Sequence, residues 1–182
     1  MRPSVRVSET ITQLAQIMTP NEANFLGKVF GGSLLALIDL CASATAQKYS
    51  GLVSVTASFD RVDFHDPIEI GELVTLTGHV SFVGRTSMEV TIDVSATNLR
   101  SGESRHTNTA RVTMVALDSQ SRPAPVPSLI CETREEKIRF LEGKLRKTYR
   151  QQRIKELSDV RTRLEGSDDA ELDSLMIADG LG

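Results

Sequence analysis

The chain has 182 residues, 40% of them hydrophobic, with a net charge of -3 and a pI near 5.7. That length holds one domain of ordinary size with an appendage, and its apolar share supports a real core. The mild acidity gives no footing for general nucleic-acid binding, and without an apolar run of about 20 residues no membrane span is expected. The N-terminal Met1-Arg2-Pro3-Ser4 leads into a polar segment without the apolar stretch of a secretory signal. Two cysteines, Cys41 and Cys131, give no reason for a disulfide, so a cytoplasmic location is expected. Three scattered histidines, His65, His79 and His106, show no metal-ligand spacing.

Residues 10–18 read as a weak strand. Thr19-Pro20-Asn21-Glu22-Ala23-Asn24 is a loop of turn formers. Gly27-Lys28-Val29-Phe30-Gly31-Gly32 then enters a long helix, predicted over about 32–49 and stopped near Gly51. This helix is apolar nearly all round, the pattern of a buried helix. Its one charge is Asp39, with no Lys or Arg within a turn in sequence. An ionised carboxylate in an apolar interior is costly unless paired, hydrogen-bonded or protonated, and chains keep such groups where chemistry needs them.

After the helix the period becomes two. Residues 52–64 are extended. Residues 72–83 put Val74, Leu76, Val80 and Phe82 on one face, with Thr75, Thr77, His79 and Ser81 on the other. Val83-Gly84-Arg85-Thr86 is a turn. Residues 87–97 alternate again, with Met88, Val90, Ile92, Val94 and Ala96 inward and Glu89, Thr91 and Asp93 outward. Ser101-Gly102-Glu103 turns the chain into a last strand over 104–118. Short turns imply antiparallel hairpins. About five strands and one long helix make an α+β plan in which a curved sheet covers the helix.

Pro123, Pro125 and Pro127 close this domain, taken as 8–127. A charged helical extension follows over 128–166, with apolar stripes Ile138, Leu141, Leu145 and Ile154, Leu157, Leu164. Six basic residues lie from Lys144 to Lys155, which most simply form a solvated face. Residues 167–182 read as an acidic, flexible tail.

Glycines at a helix start let a ligand approach the backbone, and the first helical amides are unpaired at the positive end of the dipole. Such amides suit a carbonyl oxygen becoming an oxyanion. Asp39 lies two turns beyond Gly32, near the same azimuth and roughly 10 Å along the axis by helix rise. One small carbonyl cannot touch both. A second copy supplies one of them, or the helix starts later. Asn24 carries an amide able to orient water or polarise a carbonyl, although Asn also simply forms turns. No G-x-S-x-G elbow, P-loop or G-x-G-x-x-G occurs, and His65-Asp66 before Pro67 reads as structural.

Asn24-x-x-Gly27-x-x-Phe30-Gly31-Gly32, with Asp39 in the helix, resembles the hotdog-fold acyl-CoA thioesterases of the YciA and brain acyl-CoA hydrolase type. The resemblance continues through Asp63-Phe64-x-x-Pro67-Ile68-x-x-Gly71-Glu72 and Val83-Gly84-Arg85-Thr86-Ser87. It implies a hotdog fold, sheet-to-sheet dimers that often assemble as hexamers, and an active site between subunits. It implies Asp39 as general base or nucleophile, Asn24 of the partner holding water and thioester, and the amide of Gly32 or Gly31 on the carbonyl oxygen. Phe30 and Gly31 would border the substrate, and Val83, Gly84, Arg85 and Thr86 would meet the CoA phosphates. The expected reaction turns fatty acyl-CoA into free acid and CoA, with no cofactor beyond the coenzyme A of the substrate. A non-catalytic acyl-CoA sensor on the same fold is the alternative. A dehydratase is disfavoured because this helix has no His.

Overall fold

A computed structural model describes residues 4–60, 62 and 66–178; Asp63, Phe64, His65 and Asp179 lie outside the described residues. The chain forms two compact units, Met1–Gly143 and Lys144–Gly182.

The first unit opens with β1 (Val5–Arg6), α1 (Val7–Thr10) and β2 (Thr12–Ile17), so a single helical turn occupies the start of the strand read at 10–18. A 3-10 turn at Pro20–Glu22 and a tight loop lead into α2 (Gly31–Ser50). Then come β3 (Val53–Phe59), β4 (Leu73–Val83), β5 (Ser87–Thr97), β6 (Ser104–Leu117) and β7 (Leu129–Ile130). Five of these strands form an antiparallel sheet in the order β2-β4-β5-β6-β3. This is the expected α+β hotdog arrangement, a sheet with one long helix on its inner face.

α2 ends where Gly51, at φ +64°, donates its N–H to Gln47 O at 2.8 Å. A left-handed residue after a helix is favoured by glycine because no Cβ clashes there. The inner face of α2, including Leu34, Leu37, Ile38, Cys41, Ala42 and Ala46, buries against Val74, Leu76, Val90, Ile92, Val112 and Met114. Each Leu, Ile, Val or Met among them contributes roughly 1.5–3 kcal/mol when fully buried. The helix is not covered on all sides, as its composition suggests. Ala36, Leu40 and Ala44 face outward, with Leu40 58% exposed. Among the described residues, α2 therefore keeps an apolar outer stripe exposed.

Two further differences come from tertiary packing. A bulge between Val80 and Phe82 turns Phe82 to the outer face of the sheet, where its register partner is the outward-facing Glu89. Strict alternation predicts Phe82 inward with Val80. In addition, the chain does not leave the domain at Pro127. Tyr49 Oη donates to Pro127 O at 2.5 Å, β7 pairs in parallel with β1, and α3 (Arg134–Glu165) begins against the outer sheet face. The Phe140 and Phe82 rings meet edge to face at 5.1 Å. Arg139 donates to His79 Nε2 at 3.2 Å, and a side chain at Gly143 would run into Phe82 Cβ. This cover explains why outward-facing Glu89 and Thr91 are buried, with Ser81 Oγ donating to Glu89 Oε1 at 2.9 Å and accepting from Thr91 Oγ1 at 2.9 Å. Burial and the Arg139 cation hold His79 below the usual histidine range, so it stays a neutral acceptor.

The second unit comprises the rest of α3 and α4 (Asp169–Ala178), a helix within the segment read as a flexible tail. Its first turn carries Asp169 and Glu171, which suit the positive end of the dipole. Among the described residues, no helix is long and apolar enough to cross a membrane.

One ion pair organises the loops at the entrance to α2. Glu72 is 5% exposed, and its carboxylate takes Arg105 Nη1 at 2.6 Å and Nη2 at 2.8 Å. The same guanidinium donates to Pro67 O at 2.9 Å, and Glu72 Oε2 accepts from Glu69 N at 2.9 Å. Arg105 holds the Glu72 carboxyl below the usual glutamate value of 4.5. A depressed folded pKa adds stability above the unfolded value and loses it as pH falls through the folded one. Glu72→Gln is therefore expected to lower Tm at pH 7, and the gap to wild type should shrink progressively below about pH 4.5. A gap independent of pH in a thermal melting series would contradict this.

Candidate active site

Asp39 sits half-buried on the edge of α2 that faces β3. Thr56 Oγ1 donates to Asp39 Oδ1 at 2.5 Å and lies 3.4 Å from Met114 Sδ. Among the described residues Asp39 has no ion-pair partner, so its restraint is a neutral hydroxyl. That arrangement fixes one oxygen and leaves Oδ2 available as a base or nucleophile. A register shift just after Thr56 twists β3 there. Sequence reasoning missed Thr56. Its signal was present: alternation along Val53-Ser54-Val55-Thr56 puts two polar residues on the inward face.

The second group of site residues lies at the other end of the same helix. Phe30 is extended, at φ -70° and ψ 128°, and α2 begins at Gly31 rather than 32. Phe30 O accepts from Ser33 N at 2.9 Å and from Leu34 N at 3.3 Å. The N–H groups of Gly31 and Gly32 are thus the orphan donors of the first turn. A Cβ on Gly32 would collide with the Phe30 ring, so the glycine lets that ring fold over the helix start.

Asn24 closes the loop before it. Its Oδ1 accepts from Leu26 N at 2.8 Å and from Lys28 N at 3.1 Å, and its own N–H donates to Lys28 O at 2.7 Å. Gly27, at φ +73°, makes the turn possible. With Oδ1 used twice, Asn24 has only the Nδ2 donor to offer a ligand. It can polarise a carbonyl or hold a water oxygen, but cannot take a proton. Val29 N donates to Ile68 O at 2.9 Å and Lys28 pairs with Glu69 at 2.5 Å, tying this loop to the one held by Glu72.

Between these loops and the start of α2 lies a cleft of about 370 Å³, lined by Asn24, Gly31, Leu34, Ile68 and Asn108 among others. Asp39 does not line it. Helix rise puts Asp39 about 12 Å beyond Gly31. The structure thus joins Asn24 to Gly31 and joins Asp39 to Thr56, as two separate half-sites.

Val83, Gly84, Arg85 and Thr86 form the β4–β5 turn, with Gly84 N donating to Ser87 O at 2.8 Å. Thr86 O accepts from Ala116 N at 3.0 Å and Arg85 O from Val126 N at 3.1 Å, while the Arg85 side chain is exposed. Thr56, Met114, Met88 and Val83 are successive register partners across the sheet. Three strand spacings place this turn about 14 Å from Thr56.

Residues 26–103 match the model of the thioesterase superfamily. The acyl-CoA thioester hydrolase YkhA of Bacillus subtilis is 42% identical over 117 residues, covering 64% of this chain and 68% of the relative. The chain spans only 37% of the rat cytosolic acyl coenzyme A thioester hydrolase, to which it is 34% identical over 76% of its own length. A solved hexameric acyl-CoA thioesterase superposes with a TM-score of 0.80 at 39% identity, covering 84% of this chain and 98% of its own. The acyl-CoA hydrolase of Staphylococcus aureus, solved with butyryl coenzyme A and coenzyme A, gives a TM-score of 0.79 at 31% identity, covering 90% and 99%. Alanine variants of that hydrolase at one Asn, one Asp and one Thr have also been solved. The three replaced positions fall at the same intervals as Asn24, Asp39 and Thr56 here.

The double use of Asn24 Oδ1 has a measurable consequence. Asn24→Ala should speed amide hydrogen exchange at Leu26 and Lys28 by tenfold or more, whereas Asn24→Asp, which keeps both acceptors, should leave it slow. Equal exchange in the two variants would show that the side chain does not hold the loop.

Proposed function

The chain belongs to the acyl-CoA thioester hydrolases of the thioesterase superfamily, and we propose that Asp39 is the carboxylate with which it hydrolyses fatty acyl-CoA to free fatty acid and CoA. The observation that carries this is the Thr56–Asp39 hydrogen bond, which positions a carboxylate that has no ion-pair partner among the described residues. In the reaction a water oxygen bonds to the thioester carbonyl carbon and the C–S bond breaks. Asp39 takes the water proton and returns it to the departing thiolate. The Gly31 or Gly32 N–H receives the developing oxyanion, and Asn24 Nδ2 donates to the carbonyl or to the water. As a nucleophile, Asp39 would attack the carbonyl carbon, breaking the C–S bond and releasing CoA thiolate to take a proton from solvent, and water would hydrolyse the resulting anhydride in a second step, regenerating the Asp39 carboxylate. The Val83–Thr86 turn offers the Arg85 guanidinium to the CoA phosphates. This chemistry requires no cofactor beyond the coenzyme A of the substrate.

Two half-sites in one chain call for a second copy. β3 is a sheet edge whose Val53, Val55 and Phe59 are exposed, and Leu40 of α2 adds to the same apolar strip. Unprotected edges invite strand pairing. A homodimer joined along this strip would cover it and set Asp39 and Thr56 against the partner's cleft. Phe25, 97% exposed at its loop tip, offers a further contact for three such dimers in a hexamer. The two free thiols, Cys41 and Cys131, suit the reducing cytoplasm.

Thiol release from acyl-CoAs tests the assignment. Asp39→Ala should lower kcat by at least about a thousandfold with binding retained, and Thr56→Ala by about ten- to a hundredfold. In single turnover in oxygen-18 water, label in Asp39 would mark the nucleophile, through water opening the anhydride at the Asp39 carbonyl. Full activity in Asp39→Ala would refute both roles. Bound acyl-CoA with no thiol release by wild type would point to a sensor.

A further inference from the structure

Asn108 on β6 is 3% exposed and lines the cleft beside Asn24 and Gly31. Its Nδ2 has no hydrogen-bond partner among the described residues. Its Oδ1 is engaged, accepting from Thr107 Oγ1 at 2.9 Å. The Thr107 hydroxyl has one proton, and its other acceptor, Val94 O, is further away at 3.2 Å. With Oδ1 taking the Thr107 hydroxyl proton, the NH2 group is the unused end of the amide. The inward positions that follow along β6 are Ala110, Val112, Met114 and Ala116, all apolar and fully buried. Asn108 therefore puts a donor where packing alone calls for an aliphatic side chain. A buried donor without a partner is destabilising, so such a group is explained when a ligand completes it.

We propose that Asn108 determines acyl specificity, its Nδ2 donating a hydrogen bond to a neutral oxygen, hydroxyl or ketone, borne on the acyl chain. The assignment rests on the thioesterase function proposed above. The acyl chain is the part of the substrate that fits. The cleft contains Gly31 and Asn24, which meet the thioester, and its other walls include Val29, Leu34 and Ile68, which do not suit a charged nucleotide. Asn108 also lies six residues along β6 from Met114, about 20 Å away, and Met114 belongs to the row that leads to the Val83–Thr86 turn. A neutral oxygen fits better than a carboxylate, because Lys28 in the cleft is already paired with Glu69 and Asp66 adds negative charge.

The test compares kcat/KM for a saturated acyl-CoA and for the 3-hydroxy and 3-oxo acyl-CoAs of the same length. Wild type, Asn108→Leu and Asn108→Ala are measured in parallel, with thermal melts to confirm folding. Asn108→Ala keeps the comparison available if the leucine variant does not fold. Wild type is expected to favour at least one oxygenated substrate by about tenfold, and the ratio should fall to about one in the variants, whatever the absolute rates. No preference in wild type, or a ratio unchanged by both substitutions, would overturn the role of Asn108 while leaving thioester hydrolysis intact. Failure of wild type to hydrolyse any of the substrates would overturn the thioesterase function and this assignment with it.

Discussion

At Gly78 the backbone of β4 comes so near α2 that an added Cβ would lie 2.5 Å from Thr45 Oγ1 and 3.1 Å from Cys41 Sγ. Helix and sheet approach this closely because the facing residues are small or lie flat. Thr45 turns its hydroxyl back to Cys41 O at 2.8 Å, and Ala42 and Ala46 add little bulk. This contact fixes the height of α2 over the sheet, and the positions of Gly31 at its start and of Asp39 at its middle follow from it. A larger residue at Gly78 would lift the helix and move both. Overpacking a close contact typically costs 1–3 kcal/mol, and the geometric cost to a site built on the helix would be greater.

The groups proposed to carry the chemistry are distributed along that rigid rod. Its N-terminus contributes unpaired amides, its middle a carboxylate, and the spacing between them is set by 1.5 Å per residue. No local adjustment closes a gap of this size. The chain instead leaves an apolar strip uncovered beside the carboxylate, on β3 and the outer side of α2. Exposed apolar surface that continues a sheet edge is a surface for association. Under the proposed function catalysis and assembly would be coupled, because the strip offered for pairing borders the carboxylate that would need the second half-site.

The loops around the cleft are held from the sheet outward. Arg105 on β6 grips Glu72 and Pro67, Glu72 grips Glu69, Glu69 pairs with Lys28, and Lys28 N donates to Asn24 Oδ1. Each link is a hydrogen bond to a charged or backbone group, so the amide of Asn24 is oriented by a continuous polar scaffold. On the opposite face the first turns of α3 seal Ser81, Glu89 and Thr91 beneath Phe140 and Gly143. The extension after Pro127 thus completes the first unit before leaving it.

The long helix is readable from the amino acids alone, because a glycine pair, an apolar run and Gly51 bound it locally. So are the three long strands, because their period of two is strict over 87–97 and nearly so over 72–83 and 104–118. Asp39, Asn24 and the glycines were legible as chemistry, one as a lone charge and the others as a pattern at a helix entrance. Features that depend on neighbours distant in sequence emerge only on folding. The bulge that turns Phe82 outward brings it against Phe140, 58 residues away, and no local pattern encodes that contact. Thr56 acquires meaning only when β3 lies beside α2, and Asn108 only when β6 passes under the start of that helix. Hydrophobic periodicity records which side of an element is buried. It does not record what waits on the other side, and that is where the positioning groups of this site are found.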